Sequence, residues 1–362
     1  MSTDAAFVPD DSFTATSHKG LTYPFGGAEP ASGETMRIAE GLEWVRLRIP
    51  GPLKHVNCWL IADRDARGDG VALVDTGMNT TDARDAWKTL ANGAMAGVRV
   101  TRMIGTHMHP DHIGLAGWMC AHHDAPLVMT RGEWLTARML VADARDAVPE
   151  EMVAFWRGAG WNDEQVDAAS ARGWAGFRRI VTPLPLSFTR LQDGDTLRIG
   201  RGDWRIVTGS GHSPEHACLL DETRGVFIAG DQVLPRISPN VSLGVTEPDA
   251  DPLGEWLASI AKLRNLPADL LVLPGHGDPF TGLHTRLDAM DREHRERLDA
   301  LEIFLAEPRR AIDCFGRLFR RAIGQDMLGM ATGEALAHLR RLEVEGRARR
   351  DATDGVWWWR AA

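Results

Sequence analysis

His107, Met108, His109, Pro110, Asp111 and His112 form the densest run of potential metal ligands in the chain. His107 and His109 stand at the end of an apolar run, Val98 to Ile104, that reads as a strand; alternate side chains of a strand share a face, so the two imidazoles can meet one cation. Pro110 stops the strand. Asp111 and His112 follow at the turn into a helix and point elsewhere, which suits a second cation a few ångströms away. These side chains do not close two tetrahedral sites, so later strand ends must supply the rest. His212 follows Trp204 to Thr208 in Gly209-Ser210-Gly211-His212-Ser213, Asp231 follows Val226 to Ala229 in Ala229-Gly230-Asp231, and His276 follows Leu270 to Leu273 in Pro274-Gly275-His276-Gly277. Each is a ligand-type residue beside glycine just beyond an apolar strand, where open α/β sheets place their sites. His55, His122, His123, His216, His294 and His338 lack that setting and are read as structural or surface residues.

The elements that must position these groups alternate between strand and helix character. Short apolar runs at Trp44 to Ile49, Val56 to Ala62 and Val71 to Val74 are separated by Pro50-Gly51-Pro52 and by the polar run Asp63 to Gly70. Thr80 to Asn92 places Ala83, Ala86, Trp87 and Leu90 on one helical face. Strand, helix, strand predicts a mixed α/β sheet. Residues 131–180 switch to helical periodicity, carry Trp134, Phe155, Trp156, Trp161, Trp174 and Phe177, and read as an insert that could overhang the site as an aromatic roof or pack on the sheet. Strand character resumes at Leu191 to Ile199, with Asp193-Gly194-Asp195 as a turn, and continues through Trp204 to Thr208, Ala217 to Leu220, Val226 to Ala229 and Leu270 to Leu273. From Leu283 the chain is helical and charged; it ends in a helix over Gly333 to Glu345 and two short segments about Asp354-Gly355, an order like that of a winged helix. The expected division is an N-terminal arm 1–35, a catalytic domain 36–285 and a small C-terminal domain 286–362.

The 362 residues, 44% of them hydrophobic, suffice for a large core with an appended small one, which excludes global disorder. A net charge of -9 disfavours polyanions as partners unless a local basic patch exists. The tail from Leu283 carries 15 basic and 14 acidic residues, too balanced for a groove that tracks phosphates. Arg340, Arg341, Arg347, Arg349 and Arg350 are its one candidate patch; packing or homodimer formation is the preferred role of the tail. Cys58, Cys120, Cys218 and Cys314 are far apart with no CxxC pair, so they read as reduced, small hydrophobes. A secretory signal is not recognisable, and no run reaches the ~18 apolar residues of a membrane helix. A cytoplasmic protein acting on a small molecule, without membrane contact, is the expectation.

In its motifs the sequence resembles the metallo-β-lactamase-fold hydrolase superfamily from about Met36 to Leu283. ValAspThrGly at 74 to 77, HxHxDH at 107 to 112, GlyHisSer at 211 to 213, GlyAsp at 230 to 231 and GlyHis at 275 to 276 occur in the family's order. The resemblance implies an αββα sandwich of two mixed sheets, with the helical insert and the winged-helix-like domain added to it. It further implies that His107, His109 and His212 bind a first metal, that Asp111, His112 and His276 bind a second, that Asp231 bridges them, and that Asp75 holds a ligand by hydrogen bonding. Zinc is the expected metal, with iron and manganese as alternatives, because His/Asp sites do not select by ligand type alone. Two cations sharing a water make hydroxide available near neutral pH. Asp111 is the candidate to orient that hydroxide and pass on a proton, with a purely structural ligand role as the alternative.

Asp at 231 resembles the glyoxalase II, lactonase and phosphodiesterase branches more than the zinc β-lactamases, which typically carry Cys or Ser there. Quorum-lactone hydrolases use a tyrosine beside the metals, and the only tyrosine here is Tyr23, in the arm. Cleavage of an ester or thioester of a fairly apolar acyl group is the expected activity; single-strand RNA or phosphodiester cleavage, or lactone hydrolysis, is the alternative. Arg236, Ser238, Asn240 and His284 are expected to border the substrate pocket, Arg236 as a grip for an anionic group.

Overall fold

The computed structural model describes residues 13–362. Its larger sheet has seven strands in chain order, Met36–Ala39, Leu42–Arg48, His55–Asp65, Gly68–Val74, Val100–Ile104, Leu127–Thr130 and Thr189–Leu191, the first four antiparallel and the rest parallel. The second sheet has five, Thr196–Ile199, Gly202–Gly209, His216–Asp221, Val226–Gly230 and Leu271–Pro274, of which only the last joins in parallel. The Asp193-Gly194-Asp195 turn therefore does not join two strands of one sheet. It carries the chain from the edge of the first sheet to the edge of the second, so Leu191 and Ile199 lie in different sheets.

Three apolar clusters define the layers. Trp44, Trp59, Val74, Ile104, Trp204, Ile206, Leu219 and Leu273 fill the space between the sheets. On the outer face of the first sheet, Leu60, Leu73, Val100 and Met103 meet the helix Thr81–Asn92 through Ala83, Ala86, Trp87 and Leu90, the face its periodicity predicts. Thr80 caps that helix by accepting the Ala83 N–H at 3.2 Å. Beyond the second sheet, Val207, Leu220 and Val272 pack with the helices Pro252–Leu263, Leu283–Phe304 and Leu328–Val344. The result is an αββα sandwich, with strand ends of both sheets opening on one rim.

The structure departs from expectation in the arm, at the start of the final helix and at the boundary near residue 285. The second half of the arm 1–35 is not loose surface chain: Thr16–His18 and Leu21–Tyr23 form a hairpin, Thr22 bridges Thr281, and Leu21, Tyr23 and Phe25 are buried. Leu21 and Tyr23 alternate onto one face of the short strand and join the outer cluster of the second sheet, whereas Phe25, in the turn that follows, packs between the sheets. The start of the arm, 1–12, lies outside the described residues. Of the two readings of the insert, packing is the one observed for Trp134, Phe155, Trp156, Trp161 and Phe177. Trp156 and Trp161 stack at 4.9 Å between centroids and belong with Phe155 to the outer cluster of the second sheet, while Trp134 stacks on Phe188 at 4.6 Å. The final helix, Leu328–Val344, starts earlier than the sequence indicates and leads into the hairpin Ala348–Thr353 and Val356–Ala361. The helix Leu283–Phe304 runs through residue 285, where the sequence places a domain boundary, and it packs on the second sheet and on the C-terminal helix alike.

Candidate metal centre

The strand Val100–Ile104 ends with the apolar run, three residues before His107, so Pro110 is not what stops it. Asp75 is the reason. Its carboxylate takes the Thr106 N–H and Oγ–H, each at 2.8 Å, holding the chain where it bends out of the sheet at Thr106. Asp75 holds a left-handed backbone, φ 60°, that side chains other than glycine rarely adopt, and it also accepts Nδ1–H of His112 at 2.7 Å. One buried carboxylate thus orients both halves of the HxHxDH segment.

A single tautomer logic runs through four of the five inward histidines. His112 donates Nδ1–H to Asp75, His212 to the Asn240 carbonyl at 2.7 Å, His276 to the His55 carbonyl at 2.6 Å, and His107 to the Thr106 hydroxyl at 3.0 Å. Each such bond occupies Nδ1 and leaves Nε2 as the nitrogen facing inward, the one a metal would take. His109 is reversed, its Nδ1 lying 3.0 Å from Nε2 of His212. Asp231 Oδ2 lies 3.5 Å from His212 Nε2 and 3.4 Å from His276 Nε2, its Oδ1 lies 3.3 Å from His112 Nε2, and Asp111 Oδ2 lies 3.2 Å from His276 Nε2.

These spacings identify what the cluster fits. An ion with tetrahedral bonds of about 2.0–2.1 Å has ligand-to-ligand edges of about 3.3 Å. His107 Nε2, His112 Nε2, His276 Nε2 and Asp231 Oδ1 are buried, yet none makes a hydrogen bond among the described residues, an arrangement that costs free energy unless cations fill it. Three sets have ligand atoms within 4.8 Å of one another: His107, His109 and His212; His107, His112 and Asp231; Asp111, His112 and His276. All seven side chains singled out in the sequence therefore converge, with Asp231 between the two terminal sets. The electrostatics agree. Burial opposes charge on His276, but Asp231 and Asp111 outweigh it and raise its pKa to about 10; burial likewise opposes charge on Asp111, and His112 and His276 bring it down to about 2. Surplus negative charge from two aspartates holds protons on imidazoles that a cation would displace.

Glu133 carries no signal of its role in the sequence. Fully buried, it accepts the Met108 N–H at 2.8 Å with one oxygen and the Ser213 hydroxyl and Glu215 N–H at 2.6 and 2.7 Å with the other, so it ties the segment carrying His107 and His109 to the loop carrying His212. An acidic residue in the first turn of a helix, here Arg131–Ala142, ordinarily reads as a partner of the helix dipole. His216 is structural but adjacent: its ring stacks on His107 at 4.7 Å, and its Nε2 accepts the Asp231 N–H at 3.1 Å. Buried Arg46 and Asn57 brace the His276 turn through the carbonyl of Gly277, each bond 2.8 Å.

The residues expected to border the pocket have distinct surroundings. Arg236 lies over the Tyr23 ring at 5.5 Å, Ser238 bonds His294 Nε2 at 2.9 Å, and Asn240 offers its carbonyl to His212. His284 bonds the Leu266 carbonyl at 2.8 Å, at the end of the helix Pro252–Leu263. Four of the five arginines of the candidate patch, all but Arg349, are engaged by acids: Arg340 by Glu343, Arg341 by Asp251 and Glu345, Arg347 by Asp299, Glu302 and Glu345, and Arg350 by Asp249. The four cysteines are free and buried. No helix among the described residues is long and apolar enough to cross a membrane.

Comparison with known proteins gives a consistent setting. Residues 51–276 match the family model described as the Metallo-beta-lactamase superfamily, and residues 298–362 match that of the Metallo-beta-lactamase-like, C-terminal domain. The chain is similar to a solved Beta-lactamase domain protein from Burkholderia ambifaria, 37% identical over 94% of this chain and 98% of that one, with a TM-score of 0.87. It is 24% identical to the probable metallo-hydrolase YqjP of Bacillus subtilis over 83% of this chain and 92% of that protein. It is also 26% identical to a Gallus gallus protein named Acyl-coenzyme A thioesterase MBLAC2, over 54% of this chain and 64% of that one.

Proposed function

The chain belongs to the metallo-beta-lactamase superfamily, and from that premise we propose a two-metal hydrolase that cleaves an ester or thioester of a fairly apolar acyl group. One observation carries the two-metal reading: seven ligand side chains converge, and four of their inward atoms, His107 Nε2, His112 Nε2, His276 Nε2 and Asp231 Oδ1, are buried without a hydrogen bond among the described residues. His107, His109 and His212 would hold one ion and Asp111, His112 and His276 the other, with Asp231 shared. Zinc is the proposed ion, iron and manganese its alternatives. Bound there, the ions would supply a strong oxygen nucleophile at neutral pH and an electrophilic grip on the substrate carbonyl.

The chain's own groups do the rest. Asp111, kept ionised beside His112 and His276, would orient the attacking oxygen and take up its proton, with a purely structural ligand role as the alternative. Burial of His107, His112 and Asp231 excludes bulk water from the inner face of the centre. The acyl preference draws support from the thioesterase relatives and from two exposed apolar side chains, Ile237 at 46%, three residues from Asn240, and Met330 at 51%, whose carbonyl lies 3.4 Å from Asn240 Nδ2. Ion pairing of the tail arginines favours a small acyl substrate over a polyanion.

Metal analysis of the purified chain, followed by assay against acyl-CoA thioesters, lactones, β-lactams, a bis-aryl phosphate and single-stranded RNA, tests the proposal. About two ions per chain and thioester or ester turnover with silent phosphate substrates are expected; salt-sensitive RNA cleavage would replace the acyl reading. Asp111→Asn is expected to reduce turnover at least about 100-fold in a folded protein, within the range of a lost general acid or base. Wild-type rates in that variant would remove the proposed role.

A further inference from the structure

The loop 232–251, between the strand Val226–Gly230 and the helix Pro252–Leu263, has no regular structure, yet it supplies the Asn240 carbonyl that fixes His212. What fixes the loop is the C-terminal region. Asn240 Nδ2 donates to Glu334 Oε2 at 3.0 Å and lies 3.4 Å from the Met330 carbonyl, both on the helix Leu328–Val344. Leu243 N–H bonds the Gly333 carbonyl at 3.0 Å, and a Cβ at Gly333 would fall 2.6 Å from the Ser242 hydroxyl, so only glycine lets the helix approach this closely. Val241 and Leu243 are buried in the same cluster as Leu336 and Leu339.

A second tether is polar and has one allowed direction. His338 Nδ1 can only donate to the Glu334 carbonyl, at 2.8 Å, which leaves its Nε2 bare to receive Nδ1–H of His294 at 3.3 Å. His294 Nε2 is then bare and receives the Ser238 hydroxyl at 2.9 Å. Both imidazoles are buried, and the chain of bonds requires both to be neutral. Thus the loop is held at Ser238, Asn240 and Leu243 by two C-terminal helices, and each hold lies within three residues of the carbonyl that orients His212.

We infer that the C-terminal helix Leu328–Val344 is a working part of the metal centre, with Glu334 a positioning residue that acts through Asn240 on His212 and so on one ion site only. The inference rests on the two-metal reading above. Its selectivity follows from the wiring: His112 is oriented by Asp75 and His276 by the His55 carbonyl, with no C-terminal residue involved. Glu334 therefore governs the set His107, His109 and His212, and leaves Asp111, His112 and His276 alone.

Zinc titration of the full metal-free chain against a chelating indicator tests this, with His107→Ala and His276→Ala showing which binding step belongs to which set. Glu334→Ala is expected to weaken the His107/His109/His212 step about 10-fold or more while the other changes less than about 2-fold, and Glu334→Gln, which keeps an oxygen acceptor, is expected to restore most of the loss. Equal weakening of both steps, or no change in either, overturns the inference. Should Glu334→Ala fail to fold by circular dichroism, Asn240→Ala carries the same test: selective weakening of the His107/His109/His212 step supports the inference, and equal or absent weakening overturns it. Wild-type protein that binds fewer than two ions would instead refute the two-metal reading, so the two failures are distinguishable.

Discussion

At the scale of single residues, the carboxylates differ in what surrounds them. Asp111 and Asp231 face imidazoles that a cation would bridge, whereas Glu133 faces three hydrogen-bond donors and no cation. Burial pushes its pKa up, against the pull of those three bonds. Glu133→Ala would strand the Met108 and Glu215 N–H groups and the Ser213 hydroxyl without a partner. At about 1–3 kcal/mol for each buried donor left unsatisfied, the metal-free variant is expected to lose about 3 kcal/mol or more, read as a lower midpoint in urea. An unchanged midpoint would show that water replaces the carboxylate at little cost. The difference between Glu133 and the seven ligands also explains their legibility. The ligands are chemically distinctive residue types beside glycines at strand ends, but the role of Glu133 is defined only by partners 25, 80 and 82 residues away.

At the scale of elements, the paired helices Leu283–Phe304 and Leu328–Val344 bury two imidazoles between them. Burial is the main cause that lowers His338 to about 4 and His294 to about 2; the neighbouring imidazole adds to the effect on His294, and Arg297 adds to both. Unfolded, both groups return to about 6.5. Between about pH 6.5 and 4 the unfolded chain therefore binds protons that the folded chain refuses, and stability falls as pH falls through that window. In the metal-free protein, Tm is expected to drop less steeply from pH 6.5 to 4.5 in His338→Gln than in wild type. Equal slopes would show that His338 is not buried as a neutral group. The same two helices show the limit of periodicity. Their apolar faces are readable in the sequence, but the pairing of His294 with His338, 44 residues apart, is a product of helix packing.

For the whole molecule, the C-terminal region and the catalytic sandwich share one core. Leu287, Met290 and Leu301 of the helix Leu283–Phe304 lie in the same cluster as Val207 and Val272 of the second sheet and as Leu336 and Trp359 near the C-terminus. The insert joins it as well: Trp161 donates to Thr332 Oγ1 at 2.9 Å, and Phe155 meets Trp357 edge to face at 5.5 Å. Removing residues 306–362 would expose several of these side chains, each worth about 1.5–3 kcal/mol when buried. A chain ending at Leu305 is expected to bind a hydrophobic dye and lose cooperative melting; a soluble truncated chain that melts cooperatively and binds two ions would show that the sandwich stands alone.

Strand periodicity and the strand-end glycines by themselves determined a mixed α/β sheet and the seven candidate ligands, because strand alternation and strand-end glycines are local properties that survive in one dimension; the two-sheet sandwich came only through the family resemblance of the HxHxDH, GlyHis and GlyAsp motifs. Only the tertiary structure decided which groups hold those ligands in place. Asp75 does so for His112, the His55 carbonyl for His276, the Asn240 carbonyl for His212, and Glu133 for the loops between. A backbone carbonyl is chemically the same at every position, and a buried glutamate looks like any other until its donors are brought to it. Their roles come from contacts between segments far apart in the chain, and those contacts exist only once the sheets and helices have packed.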